Sequence, residues 1–456
     1  MSNWLSIKRN RLALAKAIFL ICLTLLSAVI FFLRFPNNFF AANFYAEDGT
    51  VFYQYIYSHG ILSAIFHSFN GYFIIGLYLL EVVGIGLNSL LFNGSIINLP
   101  ASLALISYST FGFAVTLPAW LFFKRLGFFW SAVLVLACSF VPMPSSDYAV
   151  IGTIGNIKWL FLYIAFVLVI YRVIQTKNNI WTILIVDLGF LICAYTNATV
   201  YALYPLIILP EIWQWLRNPS KKNLTSILQI RRFQLALLTG VLLLPQLLYV
   251  KLYGLPTLTG YLNSPFQLQD IFEIFGGRTM LYGFVNGSYP LLNDWLVVAI
   301  CGALILSLLF THRTERLIAI AGIYASLTSS ILFVINRTGI SDYYEHYSSS
   351  GPDQFFYAQN LVMFFVVSII AASWSNERLW HRPAQLMAIV FILLLIPASG
   401  SFGRNNLMQQ NVGTLKTNIH TICRDSERKT ISVPVYPIKN QGWDLELRRE
   451  DVCDRK

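Results

Sequence analysis

From Leu12 to Leu33 the chain runs for 22 residues with a single charge, Lys16. That is enough for an α-helix to cross the roughly 30 Å hydrocarbon core of a bilayer. No small-residue cleavage site precedes the polar segment that follows, so the stretch reads as a retained transmembrane helix and not a leader peptide. Further apolar spans lie at 100–122, 127–143, 158–171, 180–194, 198–216, 233–252, 292–311, 317–336, 356–374 and 385–399. Only 12% of the residues are charged and 56% are hydrophobic, against roughly 25% charged in soluble domains. Lipid must cover most of such a surface. The expectation is an all-α polytopic membrane protein of about eleven transmembrane helices.

The net charge of +11 does not indicate nucleic-acid binding. The basic residues fall in short clusters between apolar spans, which is the pattern of cytoplasmic loops. The stretch 72–92 is apolar but contains Glu81 and glycines at 76, 84 and 86. If it does not cross, 17 Lys and Arg lie on the side of the N-terminus and 5 on the other, with the remaining 10 in the tail. If it does cross, the clusters from Lys124 onward change side. The positive-inside rule selects the first arrangement. The N-terminus is then cytoplasmic, 72–92 is a re-entrant or juxtamembrane region on the extracytoplasmic face, and the C-terminus is extracytoplasmic. The outer loops are 34–99, 253–291 and 337–355. Residues 1–399 form the transmembrane domain and 400–456 a small extracytoplasmic tail domain. In that tail, Thr430–Pro437 reads as a short edge strand, Asn440-Gln-Gly442 as a turn and Trp443–Arg448 as a return strand. Cys423 and Cys453 are the only cysteines in polar sequence, and an oxidising compartment would join them.

Chemistry concentrates at Asn43-Phe-Tyr-Ala-Glu-Asp-Gly-Thr-Val-Phe-Tyr53, just after the first span. Glu47 and Asp48 are adjacent carboxylates, which repel when both are ionised, so one should be held protonated to higher pH. A carboxylate tuned upward suits a general base for a sugar hydroxyl. Tyr45 and Tyr53 offer aromatic faces for sugar CH patches, although aromatic residues also form ordinary interfacial belts. The pair is expected to be solvated, so that its removal costs within about 0.5 kcal/mol. A second cluster, Ser341-Asp-Tyr-Tyr-Glu-His-Tyr347, supplies Asp342, Tyr343, Glu345 and His346 as substrate-binding candidates. His59, His67 and His346 have no metal-ligand spacing, and no metal-binding residue is assigned. Asp187 lies mid-span with nothing titratable near it in sequence, and reads as a functional or a hydrogen-bonded structural acid.

The order Glu47-Asp48-Gly49, short segments at 50–58 and 61–68, the hairpin 72–92, and a span closing on Lys124-Arg125-Leu-Gly127 resembles the GT-C superfamily of integral-membrane glycosyltransferases. More narrowly it is similar to bacterial members near the serotype-converting O-antigen glucosyltransferases. Gly155-Asn-Ile-Lys-Trp159, opening a span, fits the same layout, which covers roughly 10–215. The resemblance implies an inverting transfer from a polyprenyl-phosphate-linked sugar donor to a surface glycan or lipid-linked acceptor. It places the protein in the bacterial cytoplasmic membrane, with Asp48 or Glu47 as base. The leaving phosphate would need a cation or a divalent metal. Lys158, beside Trp159, and Arg278, in Gly276-Gly-Arg-Thr279, are the preferred cations. The family pattern has an Arg-Tyr pair entering a late helix, whereas Gly351-Pro-Asp-Gln-Phe-Phe-Tyr357 has no Arg. Alternatives are an O-antigen polymerase, which would carry arginine-rich outer loops where these are acidic, and a lipid-linked glycan transporter or flippase, which would carry several charges within its spans.

Overall fold

A computed structural model of the chain describes residues 2–69, 71–142, 150–175, 179–217, 230–253, 272–336, 356–375, 381–398, 413–425, 428–436 and 443–453. The chain is an all-α polytopic membrane protein. Among the described residues, seven helices are long and apolar enough to cross a membrane, and four shorter apolar helices accompany them. The main helices are α1 (Ser2–Arg34), α2 (Ile75–Phe92), α3 (Leu99–Ser139), α4 (Lys158–Ile174), α5 (Ile180–Ala194) and α6 (Tyr204–Leu216). They continue with α7 (Arg231–Tyr253), α8 (Asp294–Ser307), α9 (Arg313–Asn336), α10 (Tyr357–Ser375) and α11 (His381–Ala398). Large apolar side chains stay exposed along the outer helices, among them Leu12, Ile18, Ile21 and Leu25 of α1 and Leu386, Ile389 and Leu393 of α11. In water such faces would drive aggregation; against lipid they are the expected surface.

Two features fix how the first helices are threaded. The first is a reversal within α3, where Phe122 leaves helical geometry and Gly127 takes φ 65°, a conformation that costs least in glycine. Phe19 consequently touches both Phe123 and Phe128. At the other end of α1, the Tyr108 hydroxyl donates to the Phe35 carbonyl at 2.7 Å. There Arg34 donates to the carbonyls of Ser139 at 2.9 Å and Val141 at 3.1 Å. Both ends of α3 therefore lie at the Arg34 end of α1, and the two limbs count as two passes. Arg34, expected as a loop cation, is buried, because its guanidinium satisfies carbonyls that the end of α3 leaves without intrahelical partners.

The second feature is α2. By length and composition it is a candidate span, yet both its ends lie at the Arg34 end. Near its start, the Gly76 N–H donates to Thr196 Oγ1 and Tyr78 packs on Phe52. Near its finish, Ser102 donates to Asn88, and Gly84 lies against Leu103. Ser102 lies six residues before Tyr108, about 9 Å along α3 from the level of Phe35 toward the start of that helix. Pinned at both ends there, α2 makes contacts that argue against a crossing. It stops where Asn93 and Gly94 turn left-handed, with φ 52° and 72°, a common helix ending.

At the opposite end, α4, α5, α6 and α7 are tied by a buried ion network. Arg172 donates to Asp187 at 2.7 Å, and Arg232 donates to Glu211 at 2.9 Å. Arg172 also lies 3.5 Å from Glu211. Asp187 is thus not isolated, as its sequence neighbourhood suggested: helix packing supplies a partner 15 residues away.

The tail joins the Arg34 end. Helix α12 (Leu415–Asp425) precedes an antiparallel hairpin whose strands, Thr430–Pro434 and Asp444–Arg448, pair Ile431 with Leu447 and Val433 with Leu445. Alternation along both strands buries Ile431, Val433, Leu445 and Leu447 on one face. Cys423 and Cys453 are joined, with Cα atoms 5.6 Å apart. The expected turn at 440–442 lies outside the described residues.

Candidate functional site

After Arg34 the chain makes a short helix, Asn37–Phe40, and then an irregular stretch to Glu47. Ala46 has φ 24°, which costs a non-glycine residue of order 1–3 kcal/mol and needs outside support. The hairpin supplies it: Ala46 N–H donates to the Tyr436 carbonyl at 2.6 Å, and Tyr436 N–H donates to the Phe44 carbonyl at 3.2 Å. A π-helical turn, Asp48–Tyr53, follows at once and aims the Asp48 side chain inward.

Asp48 is buried, with 3% exposure. Its carboxylate meets the turn that opens α4. Oδ2 accepts the Ile154 N–H at 2.9 Å, and Oδ1 accepts the Gly155 N–H at 2.6 Å. Any residue with a Cβ at 155 would place it 3.0 Å from Oδ1, so glycine permits the close approach. The carboxylate thereby caps the start of the Gly155–Ile157 3-10 turn and of α4, where N–H groups point at an anion and the helix dipole favours one. Burial pushes the carboxyl up to about 7, and the charge of Glu47 adds to that; the two N–H donors and nearby Lys158 pull it down without prevailing. Each oxygen retains a second lone-pair direction, so the group can still take a proton.

Around it the carboxyl groups accumulate. Glu47 is half-buried beside Asp48. Glu81 of α2 is fully buried, close enough to interact with Asp48, and neither of its oxygens has a hydrogen-bond partner among the described residues. Sequence reading had placed Glu81 in this region without assigning it to the site. Lys158 is half-buried, with its ammonium 5.5 Å from the centre of the Trp159 ring. Its carbonyl accepts from Asn197, which also caps the next turn through the Thr199 N–H.

Of the proposed site residues, Glu47, Asp48, Lys158 and Trp159 come together. Tyr53 stacks on Phe44 and Tyr57, and Tyr45 packs edge-on against Tyr436. Both tyrosines therefore brace the loop with their rings, and neither is fully exposed for a sugar. Arg278 is buried, its guanidinium 4.9 Å and 4.7 Å from the ring centres of Tyr282 and Tyr289. Asp342, Tyr343, Glu345 and His346 lie outside the described residues. The Asp48 carboxylate is not solvated as expected, because chain folding brings the α4 turn over it. His59 and His67 flank the Tyr55 ring, and His67 Nδ1 is hydrogen-bonded to the Tyr78 hydroxyl at 2.9 Å. Among the described residues no three His, Cys, Asp or Glu side chains converge as metal ligands.

No family model matches the chain, and no curated protein matches it. Among solved structures it is similar to the crystal structure of the Archaeoglobus fulgidus oligosaccharyltransferase in complex with Zn and sulfate. The TM-score is 0.47 and the identity 13%, over 89% of this chain and 56% of that one. The chain spans little more than half the length of that enzyme.

Proposed function

We propose that the protein is a membrane glycosyltransferase of GT-C type. It would move a sugar from a polyprenyl-phosphate donor to a hydroxyl of a cell-surface glycan or lipid-linked acceptor, on the extracytoplasmic face of a bacterial cytoplasmic membrane. The observation that carries the reading is Asp48: a buried carboxylate held by the N–H groups at the start of α4, with its pKa pushed up to about 7. A base is most effective when its pKa lies near the working pH. In the transfer, the acceptor hydroxyl gives its proton to a free lone pair of Asp48. Its oxygen attacks the anomeric carbon from the face opposite the phosphate. The bond from that carbon to the phosphate oxygen breaks, and the phosphate leaves with the electron pair, inverting the centre. Lys158, the cation near Asp48, would balance the charge that develops on the phosphate. The acidic character of the site disfavours the polymerase alternative.

The test is sugar transfer from a polyprenyl-phosphate donor in detergent at matched expression. Asp48→Asn should lower turnover by about 10²–10⁴-fold. The wild-type rate should rise with pH through about 7, as the base ionises. Near-wild-type turnover in both Asp48→Asn and Glu47→Gln would remove the reading.

A further inference from the structure

Asp48 is held from two sides. The loop that carries it, 41–48, sets the direction of its side chain; the turn 150–155 supplies its two N–H donors. These segments are far apart in sequence, and two side chains, Tyr436 and Asn38, link them. Tyr436 lies in the described tail segment just after the first hairpin strand and is 1% exposed. Its backbone pairs with Phe44 and Ala46, fixing the loop. Its hydroxyl donates to Asn38 Oδ1 at 3.2 Å. Asn38, itself buried, donates through Nδ2 to the Ile151 carbonyl at 2.6 Å. Gly152, with φ 84°, has no Cβ to displace that amide: a Cβ there would come 2.6 Å from Asn38 Nδ2. The link runs without a gap from the tail, through Asn38, to the strand of chain that ends on the Asp48 carboxylate.

We infer that Tyr436 is a positioning residue for Asp48, its hydroxyl and Asn38 holding the 150–155 turn in register with the loop that presents the carboxylate. The inference rests on reading Asp48 as the reactive group. It makes the C-terminal tail part of the site and not an appendage to it. Tyr436→Phe keeps the ring, its burial and every backbone bond, and removes only the hydroxyl link. The turn keeps its bond from the Gly152 N–H to Ser107 Oγ at 3.1 Å, but with Asn38 no longer fixed by the hydroxyl the Ile154 and Gly155 N–H groups bond the carboxylate less well, and the ionised form loses support.

The experiment uses the full chain in detergent. The pH at which Asp48 protonates is read from its infrared carboxylic-acid band, assigned as the band absent in Asp48→Asn. Tyr436→Phe should raise that midpoint by about one pH unit, the scale of one weakened hydrogen bond to a charged group. Asn38→Ala should do the same, and the double variant should shift no further than either alone, because all three break one link. Amide exchange at Ile154 and Gly155 should quicken in each. Unchanged midpoints and exchange in folded variants overturn the inference, as do additive shifts. If Tyr436→Phe does not fold, Asn38→Ala carries the same two outcomes from the other end of the link. Neither readout needs a sugar. Shifted midpoints in a protein that transfers no sugar would overturn the glycosyltransferase reading and leave the positioning role standing, while transfer with unmoved midpoints would do the reverse.

Discussion

Asp48 receives opposed instructions from its surroundings. Two N–H groups and a lysine favour its charged form, and burial disfavours it more strongly. The consequence for stability has a definite sign. The folded-state pKa, about 7, lies above the ordinary 3.8, so the folded protein binds more protons than the unfolded chain between those values. Stability is therefore lost as pH rises from about 4 to 7 and is level above that. Asp48→Asn has no such titration. Its melting temperature relative to wild type should climb across that interval, by the equivalent of roughly 2–4 kcal/mol, and then stay constant; a flat difference from pH 4 to 8 would show that the carboxylate titrates normally. The acidic pair was legible in the sequence because two adjacent carboxylates follow the first span. Its burial was not, because the groups that enclose it are backbone N–H donors at 154 and 155, which any residue but proline offers. Tyr436 was equally hidden, 398 positions from the asparagine it bonds.

At the scale of elements, hydropathy and charge disagree about α2. Eighteen apolar residues satisfy the length of a span, and only the Lys and Arg bookkeeping argued against a crossing. The contacts at Tyr78 and Asn88 agree with that bookkeeping, since each end of the helix meets residues of the Arg34 end. Single cysteines at Gly60 and Gly94 should react with an impermeant maleimide from the same side of sealed vesicles, and one at Gly127 from the other. Labelling of the Gly60 and Gly94 positions from opposite sides would mean that α2 crosses. The α3 reversal was legible as two spans closing on Lys124-Arg125, and Gly127 explains why the chain turns there. The network around Asp187 was not legible, because helices bring together Arg172, Glu211 and Arg232 from three different elements.

For the molecule as a whole, the tail decides how much of the chain the site requires. The Cys423–Cys453 bond closes a loop with a sequence separation of 30, worth about 3–4 kcal/mol on chain-entropy grounds. Alkylation of the native protein under non-reducing conditions should find neither thiol free, and Cys423→Ser with Cys453→Ser should make the hairpin amides exchange faster; a free pair of thiols in the oxidised protein would contradict the bond. That the tail would be a small paired unit was readable from its strand and turn residues. That it clasps the Asp48 loop was not, because the pairing at Ala46 and Tyr436 is made by backbone groups alone. The same clasp has a bearing on synthesis. The ribosome makes the acid early, its N–H donors about a hundred residues later and the tyrosine that ties the two together near the end. A chain halted before Tyr436 holds the acid and its N–H donors without the clasp that ties their two segments together.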